Sequence, residues 1–332
     1  MAKPTRAGRF ILTNVFLLIL VFIIAEVVCR VAGIPYKTTW IPNENSFGRF
    51  DQDLGWSYKP GVSTLNVGGV GKNIYKIPVH FDENGIRVHQ EGFQFDYSRP
   101  SVLFVGCSIT MGHGLVYEDT FAGKFSTIKD LPYQVVNFGV QGYGSDQSLI
   151  SLKKHINKFN AKVVVYTFFN FHLRRNSNYD RRQIISGAKF LGTKPLFALN
   201  SERKLHLIKN PRLYEDYDYS YSWLIDLFRI SIGRKLGTFP PTSIELTKSI
   251  IQEMKKVSEE NDAHFLVLDW RWSDNDKDEF LHDLDIDIID TLESAPPGWS
   301  NMVLHKGVHP TAEATDHATS LLHKYFLNHG LL

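Results

Sequence analysis

Cysteine is nearly missing from this chain of 332 residues, which contains only Cys29 and Cys107. Two cysteines exclude a disulfide-stabilised scaffold and a cysteine-rich zinc module. Neither sign of charge is in large excess, because the chain has 37 Lys and Arg and 35 Asp and Glu, for a net charge of +2. We therefore expect no binding of nucleic acid through its phosphates.

Signatures of metal and nucleotide sites are also missing. The glycine-containing stretch 106–114 lacks the G-K-[ST] ending of a phosphate-binding loop. The 13 histidines form no set with metal-ligand spacing. We expect no metal and no cofactor. With 43% hydrophobic and 22% charged residues, the composition is that of an ordinary globular protein and excludes chain-long disorder.

The one long hydrophobic run lies at the start of the chain. Residues 1–9 carry three basic residues and no acid, and residues 10–29 are apolar except for Thr13, Asn14 and Glu26. About 20 such residues cross a bilayer as a helix, with the basic flank in the cytoplasm. We predict a cytoplasmic tail and transmembrane anchor over residues 1–32, with the rest on the periplasmic side of the inner membrane. A cleaved signal peptide is the alternative, although the run is long for one and no A-x-A-like site follows.

Two further regions follow the anchor. Residues 33–100 predict a linker and an irregular segment packed on the main domain, with a β-hairpin around the turn at 82–85. From residue 101 to 332, apolar runs alternate with helical patterns, which predicts a parallel sheet with helices on both faces, an α/β/α sandwich of the flavodoxin-like type. Residues 175–240 interrupt that rhythm and predict a partly helical insertion over the site, with the Tyr-rich stretch 214–221 as a surface lid.

Polar residues follow three predicted strands. Ser108 comes after Gly106, Gly142 lies in a glycine-rich stretch after the second strand, and Asn170 ends the third. Sites in parallel sheets form at these carboxyl ends. Ser108 can act as a nucleophile, with His309 as its base. The N–H groups of Ser108 and Gly142 and the Asn170 amide can hold an oxyanion. Cys107 as the nucleophile and His172 in the place of Asn170 remain alternatives.

These residues resemble the blocks of the SGNH (GDSL-like) hydrolases. The chain is similar to that family in G-C-S-I-T-M-G from Gly106, in N-F-G-V-Q-G from Asn137, in Asn170, and in His309-Pro310. It looks most like a membrane-anchored bacterial branch, through L-G-W at 54–56 and N-G-I-R at 84–87. The resemblance implies a serine ester hydrolase with an acylated substrate.

Two positions depart from the family pattern. Cys107 stands where the family has an Asp beside the nucleophile, and Lys306 stands where it has the acid three residues before the histidine. Lysine cannot orient an imidazole or stabilise its charged form. A substitute acid could come from three aspartates: Asp274, Asp287 and Asp290. Two other interpretations of Lys306 remain: a Ser–His dyad without a third acid, and an inactive protein.

Several basic residues lie near the predicted site. His172, Arg174 and Arg175 follow the third strand, and Arg181 and Arg182 come soon after. Together with Lys306, the first three are candidates for contact with an anionic substrate, and a solvated surface is the plainer alternative. The leading function is a serine esterase that removes acyl groups from a cell-envelope glycan or lipid. The alternatives are an O-acyltransferase with the same Ser and His, and a catalytically silent scaffold or glycan-binding protein.

Overall fold

The computed structural model describes residues 5–36, 48–67, 75–184, 191–214, 221–239, 241–274, 279–304 and 307–332. Lys306 and residues 215–220 of the Tyr-rich stretch, for which predictions were made above, lie outside these ranges. The α-helices are α1 (Arg6–Ala32), α2 (Ser108–Met111), α3 (Phe121–Ser126), α4 (Ser145–His155), α5 (Phe171–Asn176), α6 (Trp223–Lys235), α7 (Ile244–Glu259) and α8 (Ala312–Asn328). The strands are β1 (Gly48–Arg49), β2 (Ser57–Tyr58), β3 (Gly61–Val67), β4 (Tyr75–Phe81), β5 (Arg87–Val88), β6 (Ser101–Val105), β7 (Gln134–Asn137), β8 (Ala161–Phe168), β9 (Leu196–Leu199), β10 (Leu205–Lys209), β11 (His264–Asp269) and β12 (Asp287–Asp290).

One sheet of eight strands organises the main domain, in the order β12-β11-β8-β6-β7-β5-β4-β3. The first five strands are parallel, and the last three add to β7 in antiparallel pairs. The order of the parallel strands along the chain is that of flavodoxin-like folds. The predicted α/β fold is confirmed, and the sheet is mixed because the segment before residue 100 extends it.

The two faces of the sheet bury different side chains because successive residues of a strand point to opposite faces. On one face, Phe104 and Val165 pack in a cluster that includes Phe125 of α3 and Leu322 of α8. On the other, Leu103, Val164 and Val267 join a cluster that includes residues of α4 and α7. Strands buried on both sides read as continuous apolar runs, and helices cover both faces.

A tight turn joins β4 and β5. The Asp82 carboxylate accepts hydrogen bonds from the N–H groups of Asn84, at 2.9 Å, and Ile86, at 2.8 Å. Gly85 has φ +81°, and a Cβ there would lie 2.5 Å from the Tyr58 carbonyl oxygen. The turn chemistry that the sequence shows at 82–85 therefore brings β5 back against β4 and fixes the antiparallel extension of the sheet.

Helix α1 contributes no residue to the two hydrophobic clusters of the main domain. It has 27 residues, none of its most hydrophobic window is buried, and it is long and apolar enough to cross a membrane. At 1.5 Å per residue its length is about 40 Å. The membrane segment is thus a candidate that the structure supports by length and composition, as a span or as a signal sequence.

Candidate active site

Three loops that carry candidate site residues follow neighbouring strands, at the carboxyl ends of those strands. Ser108 follows β6, Gly142 lies in the loop after β7, and Asn170 follows β8. In the sheet, β6 lies between β7 and β8 and is parallel to both. The chain leaves β6 toward β7 on one side and later returns to β8 on the other, which makes this the switch point where ligands bind in such folds.

A sharp turn presents Ser108 at the end of β6. Gly106 has φ +155°, and a Cβ there would come within 2.2 Å of the Thr110 side-chain oxygen. Cys107 is 1% exposed and Ser108 is 7% exposed. Cys107 packs into the hydrophobic cluster of one sheet face, a position that suits a structural thiol. The hydroxyl of Ser108 faces a histidine instead.

That histidine is His309. Its Nε2 lies 2.9 Å from the Ser108 Oγ, across a separation of 201 residues. Main-chain contacts hold the segment that carries His309, because its carbonyl oxygen accepts from the Leu304 N–H at 2.7 Å and Pro310 forms a β-bridge with Val303. When Nδ1 carries the proton, Nε2 can accept the Ser108 hydroxyl proton, which is the contact that a general base needs.

The environment keeps His309 neutral. Burial, followed by the charges of the neighbouring His113 and Arg175, lowers its pKa from 6.5 to about 3. A charged imidazole loses solvation when it is buried, and two nearby cationic or potentially cationic groups repel it. At neutral pH the ring is therefore unprotonated and ready to take a proton.

His113 is a site residue that the sequence analysis missed. Its ring lies 4.4 Å from that of His309, centroid to centroid, at an interplanar angle of 48°. Its Nδ1 is 2.5 Å from the Gln141 side-chain amide nitrogen. Burial, followed by the charge of Arg87, lowers the pKa of His113 to about 4. No sequence pattern pairs His113 with His309, because the two meet only through the fold.

The three aspartates proposed as substitute acids have other side-chain partners. Asp287 and Asp290 belong to β12, at the edge of the sheet, with β11 and β8 between them and β6. Asp290 pairs with Arg271, and the Asp287 carboxylate lies 3.3 Å from His264 Nε2 and accepts from the Tyr325 hydroxyl at 2.7 Å. Asp274 is exposed and lies 3.9 Å from Arg271. Within the described ranges, no carboxylate forms an ion pair with His309, and a third acid among these three residues stays a prediction.

The loop after β7 packs tightly on the Ser108 turn. Asn137 Nδ2 donates to the Thr110 carbonyl at 2.9 Å, and Asn137 Oδ1 accepts from the Gly139 N–H at 2.9 Å. A Cβ on Gly139 would lie 2.1 Å from the Met111 backbone nitrogen. Only glycine allows this approach, which explains the residue types of the second block.

Gly142 has φ +77°, and its neighbours fix the direction of its N–H. The Gln141 carbonyl, in the same peptide group as the Gly142 N–H, accepts from the Trp56 indole N–H at 2.8 Å. In a trans peptide the C=O and N–H point in opposite directions. The Gly142 N–H therefore points away from Trp56. Trp56 comes from the segment before the main domain, and no pattern in the sequence indicates this role.

The basic residues after β8 take four different positions. Arg174 is exposed. Arg175 donates to the Tyr143 carbonyl at 2.8 Å, and Arg181, only 1% exposed, donates to the Gly142 carbonyl at 2.7 Å. His172 is completely buried and bonds the Tyr166 hydroxyl through Nδ1 at 2.7 Å. A substrate contact is thus unsuited to His172, which packs in the core, whereas Arg175 lies beside the site.

Asn170 follows β8 and immediately precedes α5, as the N-cap residue of that helix. It is partly buried. Its position at the switch point is the one that its place in the sequence, directly after the third predicted strand, predicts.

Within the described part of the chain, no group of three or more potential ligand side chains could hold a metal ion.

Solved structures with a similar fold include proteins named as G-D-S-L lipolytic proteins and esterases. A lipolytic protein of the G-D-S-L family from Desulfitobacterium hafniense is 11% identical, with a TM-score of 0.39, over 67% of this chain and 98% of the other. The esterase EstA from Pseudoalteromonas sp. is 11% identical, with a TM-score of 0.39, over 69% and 98%. A carbohydrate acetylesterase family member from Sinorhizobium meliloti is 11% identical, with a TM-score of 0.36, over 67% and 95%.

No family model and no curated protein matches this chain in sequence. The chain is similar in fold to G-D-S-L lipolytic proteins and to a lipase/acylhydrolase, as its sequence blocks predict. At such low identities and TM-scores, its reaction and substrate have to be argued from its own side chains.

Proposed function

We propose that this protein is a membrane-anchored serine esterase that acts on acyl groups outside the cytoplasm. The contact between Ser108 Oγ and His309 Nε2, at 2.9 Å, carries the proposal. A neutral histidine within hydrogen-bond distance of a serine at a strand end is the arrangement that activates a nucleophile. A hydroxyl that served only as a helix cap would not need such a partner.

In the proposed reaction, Ser108 Oγ attacks the acyl carbon while His309 Nε2 takes the hydroxyl proton. The carbonyl π electrons move to oxygen, and the N–H groups of Ser108 and Gly142 with the Asn170 amide stabilise that oxyanion. The tetrahedral intermediate collapses, the ester C–O bond breaks, and His309 gives its proton to the leaving alcohol. Water then repeats the sequence on the acyl-serine and releases the acid.

The anchor is the second part of the proposal. Helix α1 has the length and composition of a span, and the basic residues before it would remain in the cytoplasm. The main domain then lies on the periplasmic side of the inner membrane, next to cell-envelope glycans and lipids. The mature protein should keep its first 30 residues, and a processed N-terminus near residue 33 would exclude the anchor.

The test of the chemistry is a pair of variants of the full chain. Ser108→Ala should abolish both labelling by a fluorophosphonate probe and hydrolysis of a water-soluble acetyl ester, because the Ser108 hydroxyl forms the acyl intermediate in the proposed reaction. Cys107→Ser, the matched control one residue away, should keep most of both activities because the thiol is buried in the core.

The opposite result would identify the thiol as the nucleophile. A wild-type protein that is folded but not labelled would favour a catalytically silent scaffold. Labelling with release of the acyl group to an added sugar rather than to water would identify an O-acyltransferase, which uses the same Ser and His.

A further inference from the structure

Helix α6 of the insertion exposes a stripe of large apolar side chains. The exposed fractions are 57% for Ile225, 57% for Phe228, 54% for Ile232 and 69% for Leu236, which follows the helix directly. Spacings of three and four residues place all four on one side of a helix. We call this set the α6 stripe.

The start of α6 is bonded to the candidate membrane helix. The Glu26 carboxylate of α1 accepts hydrogen bonds from the N–H groups of Trp223, at 3.0 Å, and Leu224, at 2.9 Å, and from the Ser222 hydroxyl at 2.8 Å. Arg30 Nε donates to the same carboxylate at 2.7 Å. A carboxylate at a helix N-terminus satisfies N–H groups that have no partner within the helix.

Tyr36, which follows α1 in the chain, makes a second contact with the start of α6. The Tyr36 hydroxyl bonds the Asp226 carboxylate, and the Tyr36 ring packs edge-on against Trp223 at 5.2 Å between centroids. Glu26 lies before the end of α1 and Tyr36 lies after it. The first turn of α6 is therefore fixed at the outer end of α1.

The depth of this attachment follows from the helix rise. Glu26 is 16 positions beyond Phe10, where the apolar run begins, a distance of about 24 Å along a helix. The hydrocarbon layer is about 30 Å thick. If Phe10 lies at the inner boundary, the Glu26 carboxylate and the start of α6 lie close to the outer one. The hydrogen bonds from α6 also explain how a carboxylate can be accommodated at that depth.

We propose that α6 is an interfacial helix whose stripe is inserted in the outer leaflet of the bilayer that α1 crosses. The proposal rests on the anchored topology proposed above. Three exposed basic residues, Arg229, Arg234 and Lys235, lie on the same helix. Long cationic side chains beside an apolar face are typical of helices that lie on anionic membranes. A lipid surface fits this combination of continuity with the span, apolar stripe and positive charge.

The same geometry ties the membrane surface to the active site. Arg234 of α6 bonds the Gln183 carbonyl, which ends the short 3-10 helix Arg181–Gln183. Arg181 in turn donates to the carbonyl of Gly142. The insertion thus connects the bilayer to the loop that would hold the oxyanion. The substrate class that this favours is an acyl ester carried by a membrane-resident lipid or lipid-linked molecule.

The test uses the full chain in vesicles of phosphatidylglycerol and phosphatidylethanolamine. Spin labels on Phe228→Cys and Ile232→Cys should collide frequently with oxygen, which concentrates in lipid, and rarely with a water-soluble nickel chelate. Lys256→Cys, whose native side chain is 64% exposed on α7, is the matched control and should show the reverse. Cys29 and Cys107 are 6% and 1% exposed, so the labelled wild type gives the background.

The functional readout separates the two substrate classes. The double variant Phe228→Glu with Ile232→Glu should lower turnover of an acetyl ester on a lipid in these vesicles several-fold. Its turnover of a water-soluble acetyl ester should equal that of the wild type, because neither residue belongs to the site. An equal effect on both substrates would contradict a role at the lipid surface.

The other outcomes are also distinguishable. Labels that collide with nickel as often as Lys256→Cys, in a protein that stays in the vesicles and cleaves the soluble ester, would refute the interfacial helix and leave the proposed function intact. Labels shielded from both reagents would also refute it and assign the stripe to a protein partner or a second copy. Loss of the chain from the vesicles would refute the anchor and this proposal together. Lipid-exposed labels without any esterase activity would support the interfacial helix and count against the esterase.

Discussion

The hydrogen bond from Trp56 to the loop after β7 can be removed with little change in packing. The Trp56 indole N–H donates to the Gln141 carbonyl at 2.8 Å, and the residue is 5% exposed. Trp56→Phe keeps an aromatic ring against Tyr143, whose centroid lies 5.9 Å away, and deletes the donor. The peptide group that carries the Gly142 N–H then loses the partner that fixes its orientation.

The size of the effect has an upper limit. Complete removal of an oxyanion donor lowers kcat by about 100- to 1,000-fold. Trp56 only orients such a donor, and a neutral hydrogen bond contributes about 0.5–1.5 kcal/mol. We therefore expect Trp56→Phe to lower kcat by roughly tenfold, which corresponds to about 1.4 kcal/mol of barrier. KM should change little, because the donor acts on charge that develops in the transition state.

A second tryptophan provides the matched control. Trp299 is 4% exposed and donates its indole N–H to the Arg271 carbonyl at 2.7 Å. Trp299→Phe loses the same kind of bond at the same burial, but away from the Gly142 loop. Both variants should lose similar stability in urea denaturation, and only Trp56→Phe should lose kcat on a water-soluble acetyl ester. Equal kcat values for the two variants, or a change in KM alone, would refute the positioning role.

Two further expectations concern charge in the site and beside it. Burial, His113 and Arg175 lower the pKa of His309 to about 3, so the base stays neutral and kcat/KM should persist well below pH 6.5, falling only as the pH drops through the folded-state pKa. His113→Phe removes one of the charges that lower this pKa and should move the fall in kcat/KM to higher pH. An unchanged pH profile would contradict the coupling between His113 and His309. Lys194 and Asp146 form an ion pair with no solvent exposure, so Lys194→Met should lower the free energy of unfolding by about 3–5 kcal/mol. Combining it with Asp146→Asn should recover part of that loss in urea denaturation, and additive losses would argue against a coupled pair.

The sequence predicted the parts of the fold that depend on local pattern. Strands such as β6 and β8 are continuous apolar runs because they are buried on both faces, and their polar ends mark the site edge. The turn at 82–85 could be predicted because Asp82 accepts hydrogen bonds from backbone N–H groups and Gly85 adopts a positive φ. The contact of Ser108 with His309 could be inferred because both lie in blocks that resemble one family.

Contacts that depend on where separate segments meet were not predictable. Nothing in the spacing of Asp287 and Asp290 shows that β12 is the edge strand or that these carboxylates pair with His264 and Arg271. His113, five residues after Ser108, looks like any histidine at the end of a short helix. Trp56 reaches Gln141 across 85 positions, and Glu26 reaches Trp223 across 197. Such pairs carry no periodic signal.

The environment of His309 favours a slow enzyme over an inactive one. The aspartate of a serine triad fixes the imidazole tautomer and stabilises the charge that it gains, and loss of its correct function costs about 10⁴ in kcat. The first task is met here only for the main chain, since the backbone bonds at Leu304 and Pro310 hold that segment in place without involving the ring nitrogens. The second is not, because burial, His113 and Arg175 all disfavour the imidazolium. The negative charge that develops on the substrate oxygen then becomes the main source of stabilisation for the His309 imidazolium. This charge exists only during the reaction. Proton transfer from Ser108 is therefore costly in the resting site and becomes feasible once an acyl carbonyl occupies the oxyanion position.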